Sequence, residues 1–318
     1  MGESELTMET KTQVTLAGES AGAVYCHVHM VNDAPAKQII LSSGTLYLSP
    51  PQPPERATAV WNAIMSKLQG LGQYDLRSAP CDFLLKAISQ AGIQSWFLQN
   101  DPLLENWQSK VGNTAKRLLL SDVQNEAVIW REGIWSTDAE TIADAFNKAG
   151  PEGDELKRVY KIETTRPSSC KLGALDFIND YRFVLPIERL VQEWRAALKP
   201  VYRCLVDEPN PWQPSNGAHH AVDLILLFGG FDHLIDGVAK RTGKEMRRRW
   251  IVFINGKDPW RSESCVAFGP HGTFKELDQD ECKSRRRVAQ IDYLATADSG
   301  LLDKAFGALA AGKISLSN

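Results

Sequence analysis

The sequence predicts an α/β protein with a mostly parallel sheet and helices on both faces, and three observations carry that prediction. A short apolar, β-branched run at residues 13–17 passes straight into a Gly-x-Ser-x-Gly turn and then into helical sequence, which is a strand–turn–helix unit. Strand-like and helix-like stretches alternate along most of the chain, as a parallel sheet with helical crossovers requires. With 318 residues, 43% of them hydrophobic and 24% charged, the chain is long enough to bury one large core.

Taken in order, residues 13–17 form a nearly continuous apolar run, the pattern of a strand covered on both faces, and 21–30 read as the helix behind it. The Pro50-Pro51-Gln52-Pro53-Pro54 turn closes this unit, and Ala57, Val60, Ile64 and Leu68 give residues 56–68 helical spacing. Residues 118–127 read as a strand and turn. From 138 to 198 the pattern is mostly helical, broken at Pro151, Pro167 and Pro186, and 138–200 is expected to form a cap-like helical region. Residues 201–206 alternate as a strand, followed by a loop at 207–216. The basic run at 240–249 is expected to be the solvated face of a helix whose buried stripe is Met246, Trp250 and Phe253, and Lys283-Ser284-Arg285-Arg286-Arg287 is read the same way. A hairpin-like stretch is expected at 264–268. Residues 299–318, small and polar despite a short apolar run at 301–309, are expected to form a flexible tail of a single domain spanning 1–318.

Composition excludes several classes of function. A net charge of −3 gives no electrostatic reason to bind nucleic acid or a membrane surface. No run approaches the ~18 apolar residues of a membrane span. The first 20 residues lack a basic start and an apolar core, so the chain as it stands is expected in the cytoplasm, an expectation that a preceding signal peptide would change. Six scattered cysteines without a Cys-x-x-Cys pair argue against a zinc site or a dense disulfide framework, and they read as free or buried thiols. No metal or organic cofactor is implied.

Gly18-Glu19-Ser20-Ala21-Gly22 carries the chemistry. After an apolar strand, this pentapeptide is the nucleophile elbow of an α/β-hydrolase, where a turn too tight for side chains at the flanking positions lifts a serine hydroxyl above the sheet. A serine hydroxyl is a poor nucleophile at neutral pH and needs a base to take its proton. The backbone N–H of Ala21, at the positive end of the following helix, is positioned by the motif to donate to an oxyanion.

The wider sequence resembles the type-B carboxylesterase family, which includes cholinesterases and fungal and bacterial esterases. The resemblance begins with Val14-Thr15-Leu16-Ala17-Gly18-Glu19-Ser20-Ala21-Gly22-Ala23 and Lys37-Gln38-Ile39-Ile40-Leu41-Ser42-Ser43-Gly44. It continues with Leu118-Leu119-Leu120-Ser121-Asp122-Val123-Gln124-Asn125-Glu126-Ala127, similar to the segment with the acidic triad member, although alanine stands where the family usually has glycine. Gly217-Ala218-His219-His220-Ala221-Val222-Asp223-Leu224 resembles the G-A-x-H-x-x-[DE]-L histidine motif, and residues 246–259 resemble a late helix and its exit. About residues 13–270 are covered.

The resemblance implies an α/β-hydrolase fold and a triad of Ser20, Glu126 and His220, in the chain order Ser, acid, His of that superfamily. His220 would take the Ser20 proton, Glu126 would orient the imidazole and stabilise the imidazolium, and the substrate would be a small or medium carboxylic ester. Asp122 is the rival acid and His219 the rival base. His27 and His29 read as packing or surface residues, and Ser43 as a buried strand-end serine. The resembled family carries a glycine-rich oxyanion loop and further strands ahead of the elbow, whereas residues 1–12 are polar and charged with one glycine. The expectation is therefore a sheet missing the family's N-terminal strands, with an exposed edge at the first strand open to pairing with a second chain. The rival function is a catalytically impaired or non-catalytic binding protein that keeps the site without that loop.

Overall fold

The computed structural model describes residues 14–311 apart from 73, 94 and 95. Six strands lie side by side in sequence order: β1 (Thr15–Glu19), β2 (Gln38–Ser42), β3 (Arg117–Val123), β4 (Val201–Val206), β5 (Cys265–Phe268) and β6 (Phe274–Leu277). The first five are parallel and β6 returns antiparallel to β5. The sheet is therefore mixed and mostly parallel, with helices on both faces, as the alternation predicted. Among the described residues β1 pairs only with β2 and is half exposed, whereas every residue of β2, β4 and β5 is buried.

Side-chain alternation along the central strands separates two cores. Ile39, Leu41, Leu118 and Leu120 point to one face, against Ala23, Cys26 and Met30 of helix Ala21–Val31 and Ile187, Leu190 and Trp194 of helix Leu185–Ala196. Ile40, Leu119, Tyr202, Cys204 and Val206 point to the other, against helices Val222–Phe228 and Gly237–Ile254. The latter buries Met246, Trp250 and Phe253, the stripe read from the basic run. A third cluster lies outside the sheet. It joins helices Ala139–Asn147, Gly153–Val159 and Pro167–Asn179 to helices Val288–Thr296 and Ser299–Ala310.

Several boundaries differ from the sequence reading. The first strand runs two residues later than expected, because its ladder extends to Glu19 opposite Ser42; Gln13 lies outside the described residues. Pro186 does not break the chain into separate helices. Helix Pro167–Asn179 passes through a π turn at Asp180–Val184 into Leu185–Ala196, and the wide turn just before Pro186 takes up a residue that has no N–H to donate.

The expected flexible tail is largely a helix, Ser299–Ala310. Asp298 caps it by accepting from the Leu301 N–H, and Leu302, Ala305 and Leu309 are buried at helical spacing; residues 312–318 lie outside the described residues. The Arg285-Arg286-Arg287 segment is not a solvated face either. Arg286 is buried, with Nε 2.5 Å from Asp122 and Nη1 2.9 Å from Asp207, and Arg287 pairs with Asp180 at 2.7 Å. Acids 79 to 164 residues away in sequence draw these arginines inward, which a local charge count does not register.

Candidate active site

The end of β1 and the start of helix Ala21–Val31 meet at Ser20, whose φ of 54° and ψ of −120° make the turn. Its N–H donates to the Ser42 carbonyl at 2.9 Å, and its own carbonyl accepts from Val24 at 3.1 Å, so backbone bonds hold both sides of the elbow. A Cβ at Gly18 would overlap the Gly22 carbonyl, and a Cβ at Gly44 would come 2.5 Å from the Ser20 oxygen. A Cβ at Gly22 meets open space among the described residues, so sterics require the first flanking glycine and not the second.

Glu126 begins a short 3₁₀ turn, Glu126–Trp130, just past β3, and is fully buried. Its Oε1 accepts the Val123 N–H at 2.8 Å, and its own N–H donates to Asn179 Oδ1 at 2.7 Å. His220 arrives on the loop after β4. That loop is tied to the turn before Glu126 by two backbone bonds, Asn125 N to Ala218 O at 2.9 Å and His220 N to Asn125 O at 3.3 Å. The result is a linear relay. His220 Nδ1 stands 2.6 Å from Glu126 Oε2, and Nε2 stands 2.8 Å from Ser20 Oγ. The edge contact between Phe183 and His220, with ring centroids 5.6 Å apart, flanks the imidazole.

The rival residues lie elsewhere. His219 turns away, with Nε2 2.7 Å from Asn210 Nδ2 and Nδ1 3.0 Å from the His220 carbonyl oxygen. Asp122 is bound by the guanidinium groups of Arg203 and Arg286. His27 is buried, accepts the Leu46 N–H at 3.1 Å, and is kept neutral because burial pushes its pKa down to about 3. His29 is exposed, and Ser43 is fully buried at the end of β2. Ala21, the expected oxyanion donor, is the first residue of its helix, where backbone N–H groups have no intrahelical partner.

Two carboxylates that the sequence reading left without a role surround the relay. Glu19 Oε1 lies 3.4 Å from His220 Nε2, and Asp223, on helix Val222–Phe228, is buried. Burial pushes Glu19 up to about 7, with the His220 charge opposing and Asp223 and Glu126 adding to the rise. Burial and then the Glu126 charge push Asp223 to about 7, again against His220. For His220 burial disfavours the charged ring. The hydrogen bond and charge of Glu126, with Glu19 and Asp223 behind them, outweigh that and raise its pKa to about 9. The signal for both carboxylates lay inside the motifs, as the Glu of the pentapeptide and the acidic position of the histidine motif. Asn179 had no such signal, since only the folded helix brings it to Glu126.

This arrangement can move a proton from a serine hydroxyl to an imidazole whose far nitrogen is held by a carboxylate. Among the described residues no cluster of His, Cys, Asp and Glu side chains is arranged to hold a metal ion, and no helix is long and apolar enough to cross a membrane.

Comparison with known proteins agrees with this architecture. In sequence the chain is 27% identical over 313 residues to Lipase 3 and 26% identical over 299 residues to Lipase 1, both of Yarrowia lipolytica (strain CLIB 122 / E 150). These alignments cover 93% and 89% of this chain but 61% and 57% of the relatives, so the chain spans about three fifths of their length. In structure it resembles the Geobacillus stearothermophilus carboxylesterase EST55, with a TM-score of 0.65, 21% identity, and coverage of 87% of this chain and 64% of that one. It also resembles a PNB esterase, with a TM-score of 0.60, 21% identity and coverage of 86% and 63%. These likenesses give the fold, that of the α/β-hydrolases. The model of the carboxylesterase family matches residues 10–283, and this chain therefore belongs to that family.

Proposed function

We propose that this chain carries the catalytic centre of a carboxylic ester hydrolase that works through Ser20, His220 and Glu126. The observation that carries the reading is the continuous relay from Ser20 Oγ through His220 to Glu126, with contacts of 2.8 and 2.6 Å. Ser20 Oγ attacks the ester carbonyl carbon as its proton passes to His220 Nε2. The tetrahedral oxyanion accepts from the Ala21 N–H, and the imidazolium, stabilised by Glu126, returns its proton to the leaving alcohol. Water, deprotonated by the same imidazole, then releases the acid from the acyl-serine. Glu126 takes no proton in this scheme and acts through position and charge. The names of the two relatives, both lipases, support an ester substrate, which we take to be a small or medium carboxylic ester.

The test is labelling of the purified chain with a fluorescent fluorophosphonate alongside Ser20→Ala, with p-nitrophenyl acetate turnover followed in the same samples. The expected result is labelling lost in Ser20→Ala, with turnover reduced by roughly 10⁴-fold or more. Absence of labelling in a chain that circular dichroism reports as folded would overturn the esterase reading in favour of a binding protein.

A further inference from the structure

Away from the serine site, two of the six free thiols come together. Cys265 opens β5 and lies in register opposite Leu277 of β6. Immediately after β6, Asp278 caps helix Gln279–Arg285 by accepting from the Glu281 N–H at 2.7 Å, and the Cys282 N–H bonds to the Asp278 carbonyl at 3.0 Å. One turn of helix thus returns Cys282 to β5. The two thiols hydrogen-bond each other and pack in one small cluster with Leu205, Ala267 and Leu277. Both also line a cavity of about 480 Å³ of mixed charge, in which Arg203 pairs with Glu188 and Arg261 with Glu276, while Arg189 and Arg195 also face it. That geometry gives paired sulfurs and, beside them, a chamber large enough for a small reactant with polar groups of both charges in its wall.

We propose that Cys265 and Cys282 form a reversible dithiol–disulfide pair whose co-substrate is a low-molecular-weight disulfide, such as glutathione disulfide, entering through this cavity. Cys282 is the attacking thiol and Cys265 the resolving one. The hydrogen bond from Cys265 holds Cys282 below its ordinary value against the effect of burial, with the Arg203 guanidinium favouring the thiolate and the Glu188 and Asp122 charges opposing it. Cys265, the donor in that bond and the more buried of the two, is held above its ordinary value. In the first step the Cys282 thiolate attacks one sulfur of the small disulfide, forming a mixed disulfide and expelling a thiolate, which takes up the Cys265 proton. The Cys265 thiolate then attacks Cys282 Sγ and expels the second small thiolate. Two electrons pass from the dithiol to the small disulfide, and the product is a bond stapling helix Gln279–Arg285 to β5. The other thiols differ in setting: Cys26, Cys170 and Cys204 are buried, and Cys81 is exposed.

The whole 318-residue chain is equilibrated with glutathione disulfide, quenched in acid, alkylated, and digested without reductant for mass spectrometry. The expected product is a peptide pair linked through Cys265 and Cys282, with two of the six cysteines lost to alkylation. Cys265→Ser is expected to stop at one glutathionyl group on Cys282, and Cys282→Ser to leave Cys265 alkylatable. Wild-type chain in which Cys265 and Cys282 are both alkylated while Cys81 is glutathionylated would overturn the proposal, as would a stable mixed disulfide at Cys282 with no cross-link. The wild-type arm decides the question even where a variant fails to fold. The readout involves no ester hydrolysis, so failure here and failure of the esterase reading are separate events.

Discussion

Ser20 occupies a backbone conformation that costs a non-glycine residue on the order of 1–3 kcal/mol, and the surrounding contacts hold it there. The two flanking glycines do not share that work equally. Gly18→Ala is expected to destabilise the chain by about 2–3 kcal/mol, because the added methyl meets backbone that cannot swing aside. Gly22→Ala meets open space inside a helix and is expected to be neutral or stabilising by up to about 1 kcal/mol. Urea denaturation of the two variants checks the pair, and equal losses would contradict the steric account. At the next residue, Glu19, the prediction concerns activity. The proposed mechanism needs neutral His220, so turnover is expected to rise as pH climbs through the His220 pKa, and the Glu19 charge is one of the groups raising that pKa. Glu19→Gln removes the charge, so the midpoint of the kcat/KM profile is expected to move to lower pH, by up to about one unit. An unmoved or upward-shifted midpoint would show that Glu19 does not act on the imidazole. The proposed triad of Ser20, Glu126 and His220 could be picked out in the sequence because each sits in a short motif with a fixed offset. The tuning by Glu19 and Asp223 was not, because it depends on burial and on distances across loops.

At the level of elements, β3 was readable as a short apolar run and β4 as an alternating one, although the fold buries every residue of β4. The late arginines show where that reading stops. Whether Arg286 faces water depends on Asp122 in β3 and Asp207 after β4, positions between 79 and 164 residues away. Their pairing carries a strong expectation. Although burial opposes ionisation of Asp122, Arg203 and Arg286 hold its carboxyl below the ordinary range. Arg286→Met removes one of those partners and leaves two buried carboxylates under-compensated, with an expected loss of roughly 3 kcal/mol in urea denaturation. A loss below about 1 kcal/mol is what a solvated surface pair gives, and it would contradict the buried role of Arg286. The helix Ser299–Ala310 was missed for a different reason. Its Asp298 cap and the spacing of Leu302, Ala305 and Leu309 were present in the sequence, but glycine and alanine around them masked the periodicity.

Across the whole molecule these groups combine into a pH dependence of stability whose sign follows from the direction of each shift. Glu19 and Asp223 titrate near 7 in the folded chain and near 4 when unfolded, and His220 titrates near 9 instead of 6.5. All three bind protons more tightly when folded, so the stability they contribute is complete at low pH. It is lost as pH rises, through about 4–7 for the carboxylates and about 6.5–9 for the imidazole. Asp122 works in the opposite direction: its folded pKa is depressed, so its contribution is present above the ordinary carboxylate value and is lost as pH falls below it. The sum places maximum stability on the mildly acidic side of neutrality. The expected result is a urea midpoint higher at pH 5 than at pH 9, with a difference on the order of 1–3 kcal/mol. The double variant Glu19→Gln, Asp223→Asn removes two of the three groups that oppose alkaline pH, so it should flatten that side of the profile and leave the acid limb set by Asp122 unchanged. A double variant with the wild-type slope between pH 5 and 9 would mean that Glu19 and Asp223 are not coupled to folding, and that the raised pKa of the imidazole rests on Glu126 alone.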